Sequence, residues 1–106
     1  MNIVRKGDWN PRRFKGVDFT VGATGKQCMV TLMTFTQGQA VGKHMHPHEQ
    51  CGYCLTGRFE LTVDGETETI GPGDSYVIPG RAPHSYVVLE DAEAVEVFSP
   101  PREDYL

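Results

Sequence analysis

Short runs of alternating polar and apolar residues, separated by glycine and proline, extend along most of the chain. The clearest alternation covers residues 58–63 (RFELTV), where every second side chain is apolar. That period is expected when one face of a sheet is buried and the other is solvated. Asp64-Gly65 follows directly and predicts a hairpin turn, because glycine accepts the positive φ of tight turns. No segment keeps an apolar period of 3.6 over three turns, so we expect no long helix.

The same pattern predicts seven strands, at residues 27–36, 41–46, 51–56, 58–63, 75–79, 85–89 and 94–98. Residues 1–16, which include Trp9 and a basic cluster, are expected to form an irregular lead-in that packs on the barrel or on a partner. A closed antiparallel barrel removes the exposed edges of such short strands and leaves an interior for a small ligand. The sequence therefore predicts an all-β barrel of the class that includes jelly rolls.

The length of the chain limits the number of domains, and its net charge limits the kinds of partner that it is expected to bind. A chain of 106 residues fits one domain with one core, here residues 1–106. The formal net charge of −4 gives no electrostatic reason to bind nucleic acid or an anionic membrane, since both attract clusters of Lys and Arg. No stretch has the length and apolarity of a membrane span, and residues 1–10 lack the apolar run of a secretory signal. We therefore expect a cytoplasmic protein that binds neither nucleic acid nor a membrane.

Three cysteines, an odd number, favour a reducing compartment over a disulfide framework. Cys51 and Cys54 form a C-x-x-C that is typical of redox pairs and half zinc sites. No second C-x-x-C accompanies it, however, and it lies inside a strand-like run. We therefore interpret both residues as ordinary buried cysteines.

The four histidines occur in two places, with three of them at positions 44, 46 and 48 and the fourth at position 84. On an extended strand, His44 and His46 point to the same face, so their imidazoles can converge on one ion. Imidazole suits Zn, Fe, Ni and Cu, and it accepts Mn in mixed nitrogen and oxygen sites. From these residues alone, a pair of solvated histidines remains the alternative.

Two motifs make the sequence resemble the cupin superfamily. They are Gly38-x5-His44-x-His46-x3-Gln50-x6-Gly57 and Gly73-x5-Pro79-x4-His84, which together span residues 38–84. The resemblance implies a jelly-roll barrel and one divalent transition metal ion (Zn, Ni, Mn or Fe) on four ligands, which here are His44, His46, Gln50 and His84. His48 and Glu49 fall outside that ligand pattern and are expected to orient a ligand from the rim.

Two positions depart from the motifs. Gly80 comes one place earlier than usual and Val88 replaces a frequent Asn, changes expected to reshape only a turn. Gln50 stands where Glu is usual, which leaves the ion its full +2 charge because all four ligands are then neutral. A neutral ligand set makes the ion a stronger Lewis acid.

The carboxyl-terminal residues resemble the pectin-degradation cupins, which open the ring of unsaturated uronic acids to a linear keto-acid. Their pattern D-x-F-x3-R matches Glu96, Phe98 and Arg102, with Glu in place of Asp. The resemblance implies a metal-dependent isomerase or lyase in which Arg102 fixes a substrate carboxylate, Glu96 moves a proton and Phe98 walls the pocket. It also implies a homodimer. Polyketide cyclisation, metal-dependent dioxygenation and non-catalytic binding of a small acid remain alternatives.

Overall fold

The computed structural model describes all 106 residues and contains eight strands and one turn of 3-10 helix. The predictions of an all-β antiparallel fold without a long helix are confirmed, and no helix is long and apolar enough to cross a membrane. The elements are β1 (Asn10–Phe14), β2 (Val17–Thr24), β3 (Met29–Phe35), β4 (Ala40–His44), β5 (Glu49–Val63), β6 (Glu66–Ile70), β7 (Ser75–Ile78), β8 (His84–Ser99) and the 3-10 turn Glu103–Tyr105.

Two long strands, β5 and β8, form the frame of the barrel. They pair antiparallel along their whole length, from Glu49 opposite Ser99 to Val63 opposite His84. The first half of β5 and the second half of β8 belong to one sheet, with β7 on one side and β3, β2 and β1 on the other. Their other halves belong to a second sheet with β4 and β6. The two sheets enclose a cluster of 18 buried hydrophobic residues, which gives the predicted jelly-roll barrel.

The long strands bend where they pass from one sheet to the other. The β5–β8 register shifts around Thr56 and Arg58, and Gly57 between them has a φ of 77°. A Cβ at Gly57 would lie 2.1 Å from the carbonyl oxygen of Asp91, so only glycine permits this close crossing. The predicted runs 51–56 and 58–63 are therefore halves of one bent strand, as are runs 85–89 and 94–98.

The amino-terminal prediction is partly wrong. Residues predicted as an irregular lead-in include β1, and β2 follows it although no strand was predicted there. Four of the five β1 residues are exposed, because β1 is an edge strand that pairs only with β2, so no apolar alternation marks it. Pro11 is tolerated at such an edge. Trp9 lies over Gly22 of β2, where a Cβ would come within 2.8 Å of the indole ring.

One end of the barrel is covered by the carboxyl-terminal tail and by the tip of the β1–β2 hairpin. In the tail, Tyr105 is buried and packs on the rings of Phe19 and Phe98, at centroid distances of 4.5 and 5.4 Å. Arg12 of β1 donates from Nε to the carbonyl oxygen of Tyr105 at 3.0 Å. At the hairpin tip, the Phe14 ring lies 6.0 Å from the ring of His44. These contacts bring both segments to the end of the barrel where the histidines lie.

Candidate active site

Three histidines meet at the covered end of the barrel. His44 is the last residue of β4 and pairs with His84, the first residue of β8, while His46 lies in the loop after β4. One ring nitrogen from each lies within 4.8 Å of the others. The prediction that His46 shares a strand with His44 is wrong, because β4 ends at His44 ahead of Pro47. The loop instead brings His46 inward, and Arg81 N–H donates to the His46 carbonyl oxygen at 2.7 Å.

Hydrogen bonding selects the same tautomer in all three rings. Each Nδ1 faces a backbone carbonyl oxygen, and because a carbonyl only accepts, Nδ1 carries the hydrogen and Nε2 keeps its lone pair. Burial lowers the pKa of all three histidines, and that of His46 falls to about 4, so the rings are neutral near pH 7. The pairs are His44 with Gly42 at 2.9 Å, His46 with His48 at 3.0 Å and His84 with Ala82 at 2.8 Å.

Gln50, on the inward face of β5, completes a set of four electron-pair donors. Its Nε2 donates to Oε2 of Glu96 at 2.5 Å, which turns its Oε1 toward His46, 3.1 Å from Nε2. Neither of these facing atoms carries a hydrogen, so they repel each other unless a cation lies beside both. Three imidazole nitrogens and one amide oxygen therefore fit a divalent transition metal, and orienting hydrogen bonds such as those at Nδ1 are typical around metal-binding histidines.

Glu96 lies on β8 directly beside this donor set and is buried, with 5% of its surface exposed. It accepts hydrogen bonds from Gln50 and from the Tyr76 hydroxyl, the latter at 2.8 Å. Burial raises the pKa of Glu96, although both hydrogen bonds and the charge of Arg102 act in the opposite direction. A carboxyl group whose pKa is raised in this way is suited to exchange protons with a ligand.

Arg102 is also buried, with 5% of its surface exposed, so it is not part of a solvated tail. Its guanidinium lies over three aromatic rings, and the distance to the Tyr105 centroid is 4.1 Å. Asp104 binds one edge of the guanidinium, with Nη2 to Oδ2 at 2.8 Å and Nε to Oδ1 at 3.2 Å. Nη1 makes no hydrogen bond in the protein and remains available to an anion.

A cavity is lined by most of the polar side chains described above. Its volume is about 410 Å³ when the part that opens to solvent is included. Polar groups are concentrated at the histidine end, and the remaining wall is mostly apolar and aromatic, which is typical of a small-molecule site. The polar lining is His44, Gln50, His84, Glu96 and Arg102, and the rest is Phe14, Met33, Phe35, Phe59, Leu61, Tyr76, Ile78, Tyr86, Phe98 and Tyr105.

Comparison with known proteins identifies the family, since the model of the Cupin domain family matches residues 31–99. The chain belongs to the cupin family. Pectin degradation protein KdgF of Dickeya dadantii is 32% identical over 80 residues, covering 74% of this cupin and 73% of that protein. Polyketide synthase CurC of Streptomyces cyaneus is 32% identical over 104 residues, covering 91% of this cupin and 66% of CurC. The structure of KdgF from Halomonas sp. superposes with a TM-score of 0.89 at 29% identity, covering 100% of this cupin and 99% of that chain.

Two residues of this cupin have positions that sequence reasoning did not predict. Tyr76, which had no role in the sequence analysis, reaches the carboxyl group of Glu96 from β7. Its place at an inward position of an alternating strand was the available signal. His48 is buried, and its Nδ1 has no hydrogen-bond partner, whereas Glu49 is exposed. His48 contributes its backbone carbonyl to His46 and is not among the three clustered histidines.

The cysteine prediction is right for Cys54 and wrong for Cys51. Cys54 is fully buried, while Cys51 and Cys28 are exposed, and all three are free thiols. Residues three apart on a strand point to opposite faces, so Cys51 faces outward and Cys54 faces the core. The C-x-x-C spacing therefore does not bring the two sulfur atoms together.

The contact between Gln50 and Glu96 leads to a prediction for Gln50→Glu. A carboxylate at position 50 would replace an N–H donor beside Glu96, and two adjacent carboxylates retain a shared proton. We expect the variant to keep its metal, since an anionic ligand strengthens cation binding, but to lose at least about 10-fold in kcat as Glu96 becomes a poorer proton carrier. Metal analysis and steady-state kinetics measure both effects, with Gln27→Glu at an exposed position as control. Unchanged turnover would mean that the neutral amide is incidental.

Proposed function

We propose that this cupin is a metal-dependent isomerase that opens the ring of an unsaturated uronate to give a linear keto-acid. The observation that carries the proposal is the direct contact between Gln50, one of the four proposed metal ligands, and Glu96, a buried carboxyl group. A proton carrier therefore lies beside the proposed metal site and lines the same cavity. The resemblance to two KdgF proteins supports pectin degradation as the biological setting.

The reaction is a rearrangement with no net gain or loss of atoms. The hemiacetal hydroxyl gives its proton to a base as the ring C–O bond breaks, which leaves an aldehyde and an enolate. The vinylic carbon of the enolate then takes up that proton while the enolate oxygen becomes the oxygen of a ketone. The reaction therefore requires one group that accepts a proton and then returns it, and the buried carboxyl group of Glu96 is suited to that role.

Each proposed site residue has a role in this scheme. His44, His46, Gln50 and His84 would hold one divalent ion, with Zn, Ni, Mn and Fe all compatible with the donors. When bound, that ion supplies a Lewis acid that binds the substrate carboxylate and polarises an adjacent oxygen. Arg102 offers Nη1 to the carboxylate, and its stacking on aromatic rings keeps it in place. Phe98, which is fully buried, walls the pocket beside His46 at a centroid distance of 5.8 Å.

Polyketide cyclisation, metal-dependent dioxygenation and simple binding of a small acid are the competing functions. The buried Arg102 supports an anionic ligand, because it lines the cavity and its Nη1 makes no hydrogen bond in the protein. The decisive assay incubates the purified protein with unsaturated galacturonate and follows loss of the ultraviolet band of the conjugated enoate. Metal-dependent loss of the band, with a linear keto-acid as product, is expected. A metal-loaded protein that leaves the substrate unchanged would refute the proposal.

We further propose that the active protein is a homodimer that pairs through the outer surface of the β7–β5–β8 sheet. On the outer surface of that sheet four apolar residues of β5, β7 and β8 are exposed, whereas the second half of β5 presents Arg58, Glu60 and Thr62. Both surfaces include residues of the same strand, β5. The general preference of apolar residues for strands therefore does not explain why the exposed apolar residues lie in only one half of it. The exposed apolar residues are Tyr53, Leu55, Val77 and Val97.

The dimer prediction is tested with Tyr53→Lys/Val97→Lys, which places two charges within the apolar surface. We expect the unsubstituted protein to have twice the mass of the chain in light scattering and the variant to have the mass of one chain, because burying unpaired charges is costly. Thr62→Lys, on the polar half of the same strand, is the matched control and should remain dimeric. A monomeric unsubstituted protein would contradict the proposal.

A further inference from the structure

Both hydrogen bonds to the Glu96 carboxyl group reach the same oxygen. Gln50 Nε2 and the Tyr76 hydroxyl donate to Oε2, at 2.5 and 2.8 Å, while Oε1 accepts no hydrogen bond from the protein. We propose that Tyr76 is a positioning residue, which holds Oε2 so that Oε1 is the oxygen that exchanges a proton with the substrate. This inference rests on the proposed function for the identity of the substrate.

The orientation has a direct chemical consequence. When the carboxyl group is protonated, its hydrogen resides on Oε1, because Oε2 already faces an N–H and an O–H. Oε1 therefore takes the proton of the hemiacetal hydroxyl and later gives one to the vinylic carbon, so no proton is gained or lost overall. Without Tyr76, Gln50 alone would hold the carboxyl group, which could then rotate and present either oxygen.

Gly52 makes the contact between Tyr76 and Glu96 possible. In the sheet, Gly52 of β5 pairs with Tyr76 of β7 on one side and with Glu96 of β8 on the other. A Cβ at Gly52 would lie 2.0 Å from Tyr76 Cζ and 2.3 Å from its hydroxyl oxygen, so the tyrosine ring occupies the space that a side chain would fill. Tyr76 therefore crosses β5 to reach a carboxyl group two strands away, which no other residue at position 52 would allow.

Two further contacts keep Tyr76 in its donor role. Its ring packs edge-on against Phe59, with centroids 5.8 Å apart and planes at 84°. Burial, followed by the nearby charge of Glu96, raises the pKa of Tyr76 well above its usual value, so the hydroxyl keeps its hydrogen and donates it. Packing therefore fixes the position of the Tyr76 ring, and the Tyr76 hydroxyl donates its hydrogen bond to Glu96.

The first test compares Tyr76→Phe with Thr69→Val, which removes a hydroxyl from an exposed position of β6. We expect Tyr76→Phe to lower kcat about 10-fold, as for a lost hydrogen bond to a charged group, with KM and metal content unchanged. In a Glu96→Gln background the same substitution should change kcat by less than about twofold, because Tyr76 acts only through Glu96. A 10-fold fall in that background as well, or no fall in Tyr76→Phe itself, would overturn the proposal.

A second measurement needs no substrate. In urea unfolding of the metal-loaded protein, Tyr76→Phe and Glu96→Ala together should lower the midpoint by less than the sum of their separate effects, since either substitution alone removes the hydrogen bond between the two side chains. Strictly additive effects would show that Tyr76 does not hold Glu96. If the unsubstituted protein does not convert the uronate, the proposed function fails, and this unfolding cycle still decides the positioning role.

Discussion

Replacing His84 by alanine is expected to reduce the metal content of the purified protein from close to one ion per chain to a trace. His84 provides one of four converging donors, and its ring lies between those of His44 and His46, with centroids 4.2 and 4.9 Å away. Loss of a direct ligand should weaken binding by more than about 100-fold, the upper range for losing only an orienting partner of a ligand. Elemental analysis after gel filtration measures the effect.

Two controls make that result specific to the proposed ligands. His48→Gln alters the one histidine outside the cluster and should leave metal content unchanged. Cys51→Ser/Cys54→Ser should also retain the metal, because the two thiols face opposite sides of β5. Stoichiometric metal in His84→Ala would contradict the site, and loss of metal from the cysteine variant would make the thiols ligands.

The fold could be predicted from the sequence because strand alternation and turn residues act locally. Asp64-Gly65 forms the predicted hairpin, with φ values of 49° and 82° at its two residues. Alternation could not show that neighbouring runs join into β5 and β8, since the bend at Gly57 interrupts the pattern without ending the strand. The edge strand β1 carries no alternation, because its side chains are mostly exposed.

In the candidate site, too, some residues could be predicted from local motifs, whereas others depend on contacts between distant parts of the chain. The resemblance to the cupin motifs implied that His44, His46, Gln50 and His84 meet, and their side chains lie together at one end of the barrel. Tyr76 could not be assigned to the site, because its contact with Glu96 depends on strand pairing across Gly52, between residues 20 positions apart. The burial of Arg102 likewise depends on how the tail folds back over the barrel.

Two variants at the cavity separate an enzyme from a binding protein. Arg102→Lys keeps the charge but loses the planar group that stacks on Tyr105 and binds Asp104 along one edge. We expect it to cost about 2 kcal/mol of transition-state binding, or about 30-fold in kcat/KM, with metal content unchanged. Arg58→Lys, in an exposed ion pair with Glu90, is the matched control and should have no effect.

Glu96→Gln is expected to lower kcat by at least about 100-fold with little change in substrate affinity, because an amide keeps the shape of the carboxyl group but cannot carry a proton. Glu93→Gln makes the same change at an exposed position of β8 and should be silent. In a protein that only binds a small acid, Arg102→Lys would weaken ligand affinity and Glu96→Gln would change nothing. Calorimetric affinity for a saturated uronate, measured beside turnover of the unsaturated one, therefore distinguishes the two classes, and a fully active Glu96→Gln protein would remove Glu96 from the reaction.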